Sequence, residues 1–199
     1  RVHVPETGWR AVSANGLSHA VFEDGEGPLA ILQHGYPDTP HTWDDVVPHL
    51  VNAGYRVVRP FGRGITPSEA PTGDAYHIRD LARDLVELIP ALGAERAVVV
   101  GHDWGAAAAW GAAHLAPGRI SKLVTVAIPH PATLRPSPKM MWATRHLVSN
   151  RVPWAHKRVR ADDFAELRAM YERWSPGFDW PDSEIEAVKN AYAHPPTLN

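Results

Sequence analysis

The run Gly101-His102-Asp103-Trp104-Gly105 places a carboxylate in a pattern typical of a catalytic nucleophile. Three valines precede it and an alanine-rich stretch follows, which predicts a strand that turns directly into a helix. In such a Gly-X-nucleophile-X-Gly turn, glycines remove the Cβ atoms that would clash beside the central residue. A carboxylate is a poor nucleophile toward amides, but it can open an electrophilic sp³ carbon and form an alkyl ester on the enzyme. The alternative is an ordinary strand–helix turn in which Asp103 caps the helix.

A second motif, Gln33-His34-Gly35-Tyr36-Pro37, follows a short apolar strand and precedes Trp43. The carboxyl end of a strand is where ligands bind in open α/β sheets. Enzymes with a nucleophile turn hold the oxyanion with the amide after the nucleophile and with an amide from an earlier loop. Trp104 and Tyr36 occupy these two positions, so their backbone N–H groups are predicted to form the oxyanion hole. For His34-Gly35 by itself, the alternative is a loop with a satisfied histidine.

Strands and helices alternate along the first two thirds of the chain, which predicts a mostly parallel sheet covered by helices. The helical stripe from Ile78 to Leu92 is the clearest of these elements, and Gly93 ends it. We expect Asp38 and Asp44 to cap the helix that begins at Thr42. The predicted strands are 29–33, 55–59, 97–100 and 123–128, and the predicted helices are 42–53, 78–92 and 106–115.

The pattern changes after Pro129, where closely spaced prolines interrupt regular structure. Residues 132–161 contain basic but no acidic side chains, which we interpret as solvated helix faces; the alternative is an anion-binding surface. Helices are predicted at 164–174 and 185–193, the second with a Ser183/Glu186 capping box. The chain is therefore expected to comprise a core domain, 1–134, and a helical insertion, 135–199.

Composition narrows the class of protein. The 199 residues are 44% hydrophobic and 21% charged, which is typical of one globular domain with an appendage. A net charge of −2 does not indicate binding to nucleic acid or to an acidic membrane. The absence of cysteine excludes disulfides and thiolate metal sites. No long apolar run or signal peptide is seen. We expect a cytoplasmic protein without a cofactor or metal ion, and the oligomeric state stays open.

Together, the two motifs and the Arg63-Gly64 turn with Pro67-Ser68 resemble the α/β-hydrolase fold, within the branch of epoxide hydrolases and haloalkane dehalogenases. The likeness runs from Val21 to Pro131, and beyond it only a helical cap is similar. The resemblance implies a two-step hydrolysis of a small apolar organic substrate. Asp103 attacks carbon to give an alkyl-enzyme ester, and a histidine-activated water then cleaves the ester.

The resemblance also implies roles for neighbouring residues. The amides of Tyr36 and Trp104 would stabilise the oxyanion, and His34, Pro37 and Trp104 would contact the substrate. Haloacetate dehalogenases carry an arginine directly after the nucleophile, so Trp104 disfavours a charged haloacid. Tyr36 is closer to the aromatic residue of epoxide hydrolases than to the Asn or Glu of many haloalkane dehalogenases. The resemblance therefore favours hydrolysis of an epoxide to a diol, with haloalkane dehalogenation as the alternative.

Two elements of the family's chemistry are not matched. Epoxide hydrolases protonate the ring oxygen with cap tyrosines, but residues 142–148 contain none, and Tyr171 and Tyr192 are interpreted as packing residues. The family's base histidine and its carboxylate partner come after the insertion and the last strands, so we expect them beyond Asn199 and the cap to be truncated. His130 is the candidate base among the residues present; the alternative is a loop role. A non-catalytic ligand-binding protein, or an inactive fragment without the base, is the hypothesis from another class.

Overall fold

The computed structural model describes residues 8–133, 135, 137–145 and 154–193. The chain divides into two compact units, Arg1–Pro129 and His130–Asn199. The assignment of these units as a catalytic core and a cap stays a prediction.

The first unit is built on a six-stranded sheet with the order β1-β2-β4-β3-β5-β6. β4, β3, β5 and β6 run parallel, so the predicted α/β architecture is confirmed. β1 and β2 add an antiparallel hairpin that the sequence analysis did not predict. Its turn, Asn15-Gly16, has φ values of 47° and 75°, the positive pair that a two-residue hairpin turn requires. The strands are Arg10–Ala14, Leu17–Asp24, Leu29–Gln33, Arg56–Pro60, Ala97–His102 and Ile120–Val126, numbered β1 to β6.

Helices α1 (Val47–Asn52), α2 (Ile78–Ala91) and α3 (Trp104–Leu115) accompany this sheet. The predicted helix α2 is confirmed: its apolar stripe is buried and packs with α3 and the sheet in one hydrophobic cluster. A main cluster of this kind supplies most of the stabilisation of a domain, because apolar burial is the dominant favourable term in folding.

The continuous helix predicted at 42–53 is wrong. The chain forms a 3₁₀ helix, Pro40–Trp43, before α1. Thr39 caps the 3₁₀ helix, since its hydroxyl accepts the His41 N–H at 3.4 Å. The predicted capping by Asp38 and Asp44 is therefore also wrong. The Asp38 carboxylate accepts from the Thr39 N–H at 2.8 Å, and the Asp44 carboxylate binds Arg59 and His41.

The second unit contains α4 (Pro138–Ala143), α5 (Ala155–Trp174) and α6 (Asp182–Ala193) among its described residues. α4 was not predicted, because proline was treated as a break; Pro138 lies at the first helical position, where proline is tolerated, and Ser137 caps the helix. α5 has non-helical backbone from Ala161 to Phe164. α6 begins at Asp182, so Ser183 lies inside its first turn and the predicted capping box is wrong. Within the described ranges, no helix is long and apolar enough to cross a membrane.

Candidate active site

Asp103 occupies a strained turn between β5 and α3, with φ 52° and ψ −119°. Such a conformation costs a non-glycine residue about 1–3 kcal/mol and persists only where the surroundings enforce it. The surroundings are close. A Cβ on Gly101 would lie 2.2 Å from the Gly105 carbonyl oxygen, and one on Gly105 would lie 2.3 Å from the Gln33 carbonyl oxygen. Both glycines are thus required for the close approach of the backbone segments around Asp103.

The loop after β3 places a backbone donor directly on this carboxylate. The Tyr36 N–H donates to Asp103 Oδ1 at 3.0 Å, across 67 residues of sequence. A Cβ on Gly35 would lie 2.4 Å from the Asp103 Cβ, so only glycine allows the loop to come this near. The Asp103 side chain does not cap α3, and among the described residues no further donor to this carboxylate is seen beyond the Tyr36 N–H on Oδ1. The two sequence motifs therefore meet at one carboxylate.

His34 joins the loop after β3 to the loop after β4. Its ring is buried; Nε2 accepts from the Gly62 N–H at 3.0 Å, and Nδ1 lies 2.8 Å from the Gly35 carbonyl oxygen. This pattern assigns the neutral tautomer with the proton on Nδ1. Burial lowers the pKa of His34 to about 4, so the ring is neutral near pH 7. Both ring nitrogens are engaged by backbone groups, an arrangement that positions the loop.

A buried ion pair follows Gly62 in the loop after β4. Arg63 binds Asp84 of α2 through two contacts, Nε to Oδ2 at 2.6 Å and Nη2 to Oδ1 at 2.5 Å. Asn15 Nδ2 donates to Asp84 Oδ1 at 2.8 Å. Arg63 belongs to a motif seen in the sequence, but its pairing with Asp84 was not predicted. The available signal was an acidic residue, Asp84, on the same side of α2 as Leu81 and Leu88, where apolar residues are expected.

A second buried cation, Arg59 on β4, anchors the far end of the loop that carries Tyr36. Its side chain is fully buried and pairs with Asp24 at 2.9 Å and with Asp44, which follows the 3₁₀ helix. The guanidinium carbon also lies 5.1 Å from the centre of the Phe22 ring. Buried charges are retained where they are paired, and this pairing fixes the segment after Tyr36 against the sheet.

The other predicted site residues are Trp104, Pro37 and His130. Trp104 is the first residue of α3, so its N–H has no carbonyl of the same helix to bind, and the residue is 36% exposed. Pro37 is buried next to Tyr36. His130 Nδ1 accepts from the Ala132 N–H at 3.2 Å.

This hydrogen bond bears on the predicted role of His130 as a base. An imidazole whose Nδ1 accepts a hydrogen bond carries its proton on Nε2 when neutral. A base oriented by a carboxylate has the opposite tautomer, with Nε2 free to take a proton. The role of His130 stays a prediction, and the bond to Ala132 favours a loop role. In the part of the chain that the structure describes, no group of three histidine, aspartate or glutamate side chains could hold a metal ion.

Several known proteins are similar to this chain. Residues 28–191 match the family described as alpha/beta hydrolase fold. The chain is similar to the AB hydrolase superfamily protein YfhM of Bacillus subtilis, with 41% identity over 62% of this chain and 44% of that protein. It is 42% identical to epoxide hydrolase A of Mycobacterium tuberculosis over 60% of this chain and 38% of that protein. Each match therefore spans less than half of the relative.

The fold of this chain is also similar to that of a solved structure. The Bacillus megaterium epoxide hydrolase in complex with an inhibitor superimposes with a TM-score of 0.84 and 26% identity. The match covers 95% of this chain and 69% of that one.

Proposed function

The chain belongs to the α/β-hydrolase fold family, and on that premise we propose that it carries the nucleophile of an epoxide hydrolase. One observation supports this most directly: Asp103 sits in a strained turn with the Tyr36 N–H 3.0 Å from one carboxylate oxygen. A carboxylate that only capped a helix would need neither the strain nor a donor from a distant loop. The identity to epoxide hydrolase A of Mycobacterium tuberculosis supports the same reaction class.

In the proposed first step, Asp103 Oδ2 attacks a carbon of the epoxide. The ring C–O bond breaks, its electrons pass to the ring oxygen, and that oxygen takes a proton from an acid. The product is a hydroxyalkyl ester of Asp103. Oδ2 is assigned as the attacking atom because the hydrogen bond from Tyr36 already draws electron density from Oδ1. Pro37 follows Tyr36, the first proposed oxyanion donor, and Trp104 supplies the second, so we place the apolar part of the substrate against the side chains of Pro37 and Trp104.

In the second step, water attacks the carboxyl carbon of the ester, and negative charge develops on Oδ1. The Tyr36 N–H is in place to stabilise this charge, and we propose that the Trp104 N–H does the same. A single oxyanion donor of this kind contributes about 100- to 1000-fold to the rate. A histidine takes a proton from the attacking water, the bond between the carboxyl carbon and Oδ2 breaks, and the departing alkoxide takes that proton to leave as the diol. The aspartate carboxylate is regenerated.

Intact-protein mass spectrometry tests the first step. The protein is incubated with a small aryl epoxide, alongside Asp103→Asn and a matched control, Asp45→Asn, which alters an exposed carboxylate before α1. We expect the wild type and Asp45→Asn to gain the full mass of the epoxide, and Asp103→Asn to gain nothing. Diol without an adduct would indicate a working base. The absence of both adduct and diol would contradict the proposal and favour a ligand-binding protein.

Haloalkane dehalogenation is the second candidate, because Trp104 directly follows the proposed nucleophile and is 36% exposed. In that reaction the halide leaves with the bonding electrons, so the adduct of a 1-haloalkane adds an alkyl group in place of one hydrogen. Halide release measured with the same variants distinguishes the two substrates. Adduct formation with the haloalkane but not with the epoxide would assign the second function.

A further inference from the structure

The loop after β4 is fixed by a buried ion pair one residue away from its contact with His34. Arg63 is 7% exposed and Asp84 is 5% exposed. The guanidinium meets the carboxylate through two nitrogens, at 2.6 Å and 2.5 Å, and Nη1 donates to the Ala75 carbonyl oxygen at 2.5 Å. A planar guanidinium held at several points cannot rotate, so the backbone at Arg63 and Gly62 is held with it.

From Gly62 the contacts continue without a gap to the nucleophile. The Gly62 N–H donates to His34 Nε2 at 3.0 Å, and His34 Nδ1 donates to the Gly35 carbonyl at 2.8 Å. The next N–H along the chain belongs to Tyr36 and donates to Asp103 Oδ1 at 3.0 Å. Each contact in this series is a normal hydrogen bond.

We propose that Arg63 and Asp84 are a positioning pair for the oxyanion donor: they fix the Gly62 amide, which through His34 holds the Tyr36 N–H on Asp103. This inference rests on the proposed role of Asp103 as the nucleophile. Neither residue is expected to touch the substrate. The pair acts on the second step more than on the first, because the charge that Tyr36 stabilises develops on Oδ1 when water attacks the ester.

The positive charge of Arg63 alone would not hold the Gly62 amide in place; the geometry of the contact with Asp84 is also needed. Asn15 Nδ2 donates to Asp84 Oδ1 at 2.8 Å, so the carboxylate is held from the β1–β2 turn as well as from Arg63. A lysine at position 63 would keep the positive charge but lose the two-point contact between a planar guanidinium and the Asp84 carboxylate, which holds the backbone at Arg63. Displacing a catalytic group by 1 Å through a remote substitution costs about 100-fold in rate.

The test uses Asp84→Asn, Arg63→Lys and a matched control, Glu23→Gln. Glu23 pairs with Arg56 at 2.5 Å, at the opposite end of β4 from Gly62, and is also bound by Arg10. Two quantities are measured in each folded variant. One is the hydrogen-exchange rate of the Tyr36 amide relative to amides of α2; the other is the rate at which hydroxide cleaves the epoxide-derived ester, relative to the rate at which it forms.

In Asp84→Asn and Arg63→Lys we expect the Tyr36 amide to exchange faster and ester cleavage to slow by about 100-fold relative to ester formation. Glu23→Gln should match the wild type in both. Unchanged exchange and cleavage in folded Asp84→Asn and Arg63→Lys would overturn the inference. If Asp84→Asn does not fold, Arg63→Lys, which keeps the charge, decides. If the wild type forms no ester, the proposed function fails, while exchange at Tyr36 still tests whether the pair holds the donor.

Discussion

Protonation of His34 is predicted to destabilise the folded protein as the pH falls. In the folded state the pKa of His34 is lowered from 6.5 to about 4, chiefly by burial. At about 1.4 kcal/mol per pKa unit, this lowering of the His34 pKa corresponds to about 3 kcal/mol in the free energy of unfolding. Because the unfolded chain binds the proton at its ordinary pKa, it binds more protons than the folded protein between pH 6.5 and 4. The contribution of His34 to the free energy of unfolding is therefore fully present above pH 6.5 and is lost progressively as the pH falls to about 4.

Urea unfolding across this pH window measures the effect in the wild type and in His34→Gln, which cannot titrate. His19, whose pKa burial also lowers, is present in both proteins, so the difference between their pH profiles isolates His34. The matched control is His49→Gln, an exposed histidine of α1, and it should keep the wild-type profile. Identical pH profiles for His34→Gln and the wild type would refute the assignment of a buried, neutral imidazole.

Three further substitutions give distinct expectations. Gly35→Ala brings a Cβ within 2.4 Å of the Asp103 Cβ. Because this displaces the nucleophile, ester formation is expected to fall about 100-fold in the adduct assay. Overpacking should also lower the free energy of unfolding by about 1–3 kcal/mol. Ser68→Ala removes a buried hydroxyl that accepts from one backbone N–H at 2.9 Å and donates to a backbone carbonyl at 2.8 Å; each orphaned group costs about 1–3 kcal/mol in urea unfolding, with adduct formation retained. His130→Ala is expected to leave the rate of ester loss unchanged, since Nδ1 already accepts a backbone N–H; slower loss would instead assign His130 as the base.

The parts of the fold that the sequence predicted well are those with a local pattern. The valines of β5, followed by glycine and an alanine-rich helix, predict the turn at Asp103, and the apolar stripe of α2 needs no distant partner to be recognised. The 3₁₀ helix before α1 was missed because Thr39, rather than an aspartate, supplies the cap. Capping depends on side-chain direction, which residue type alone does not determine.

The parts that the sequence could not predict depend on contacts between distant segments. Arg63 and Asp84 are 21 residues apart and meet only because α2 packs beside the loop after β4. The tautomer of His34 is likewise set by the Gly62 amide, 28 residues away. By contrast, the approach of Tyr36 to Asp103 could be anticipated, because both motifs end parallel strands and the carboxyl ends of such strands lie at one edge of the sheet.

The most direct test of the central proposal is to locate the alkylated residue. The protein is treated with an aryl epoxide, digested, and sequenced by tandem mass spectrometry, with Asp103→Asn treated in parallel. We predict one modified peptide, with the added mass on Asp103 as an ester that hydroxylamine removes. Modification of a histidine or of a different carboxylate, with Asp103 unmodified, would contradict the assignment of Asp103 as the nucleophile.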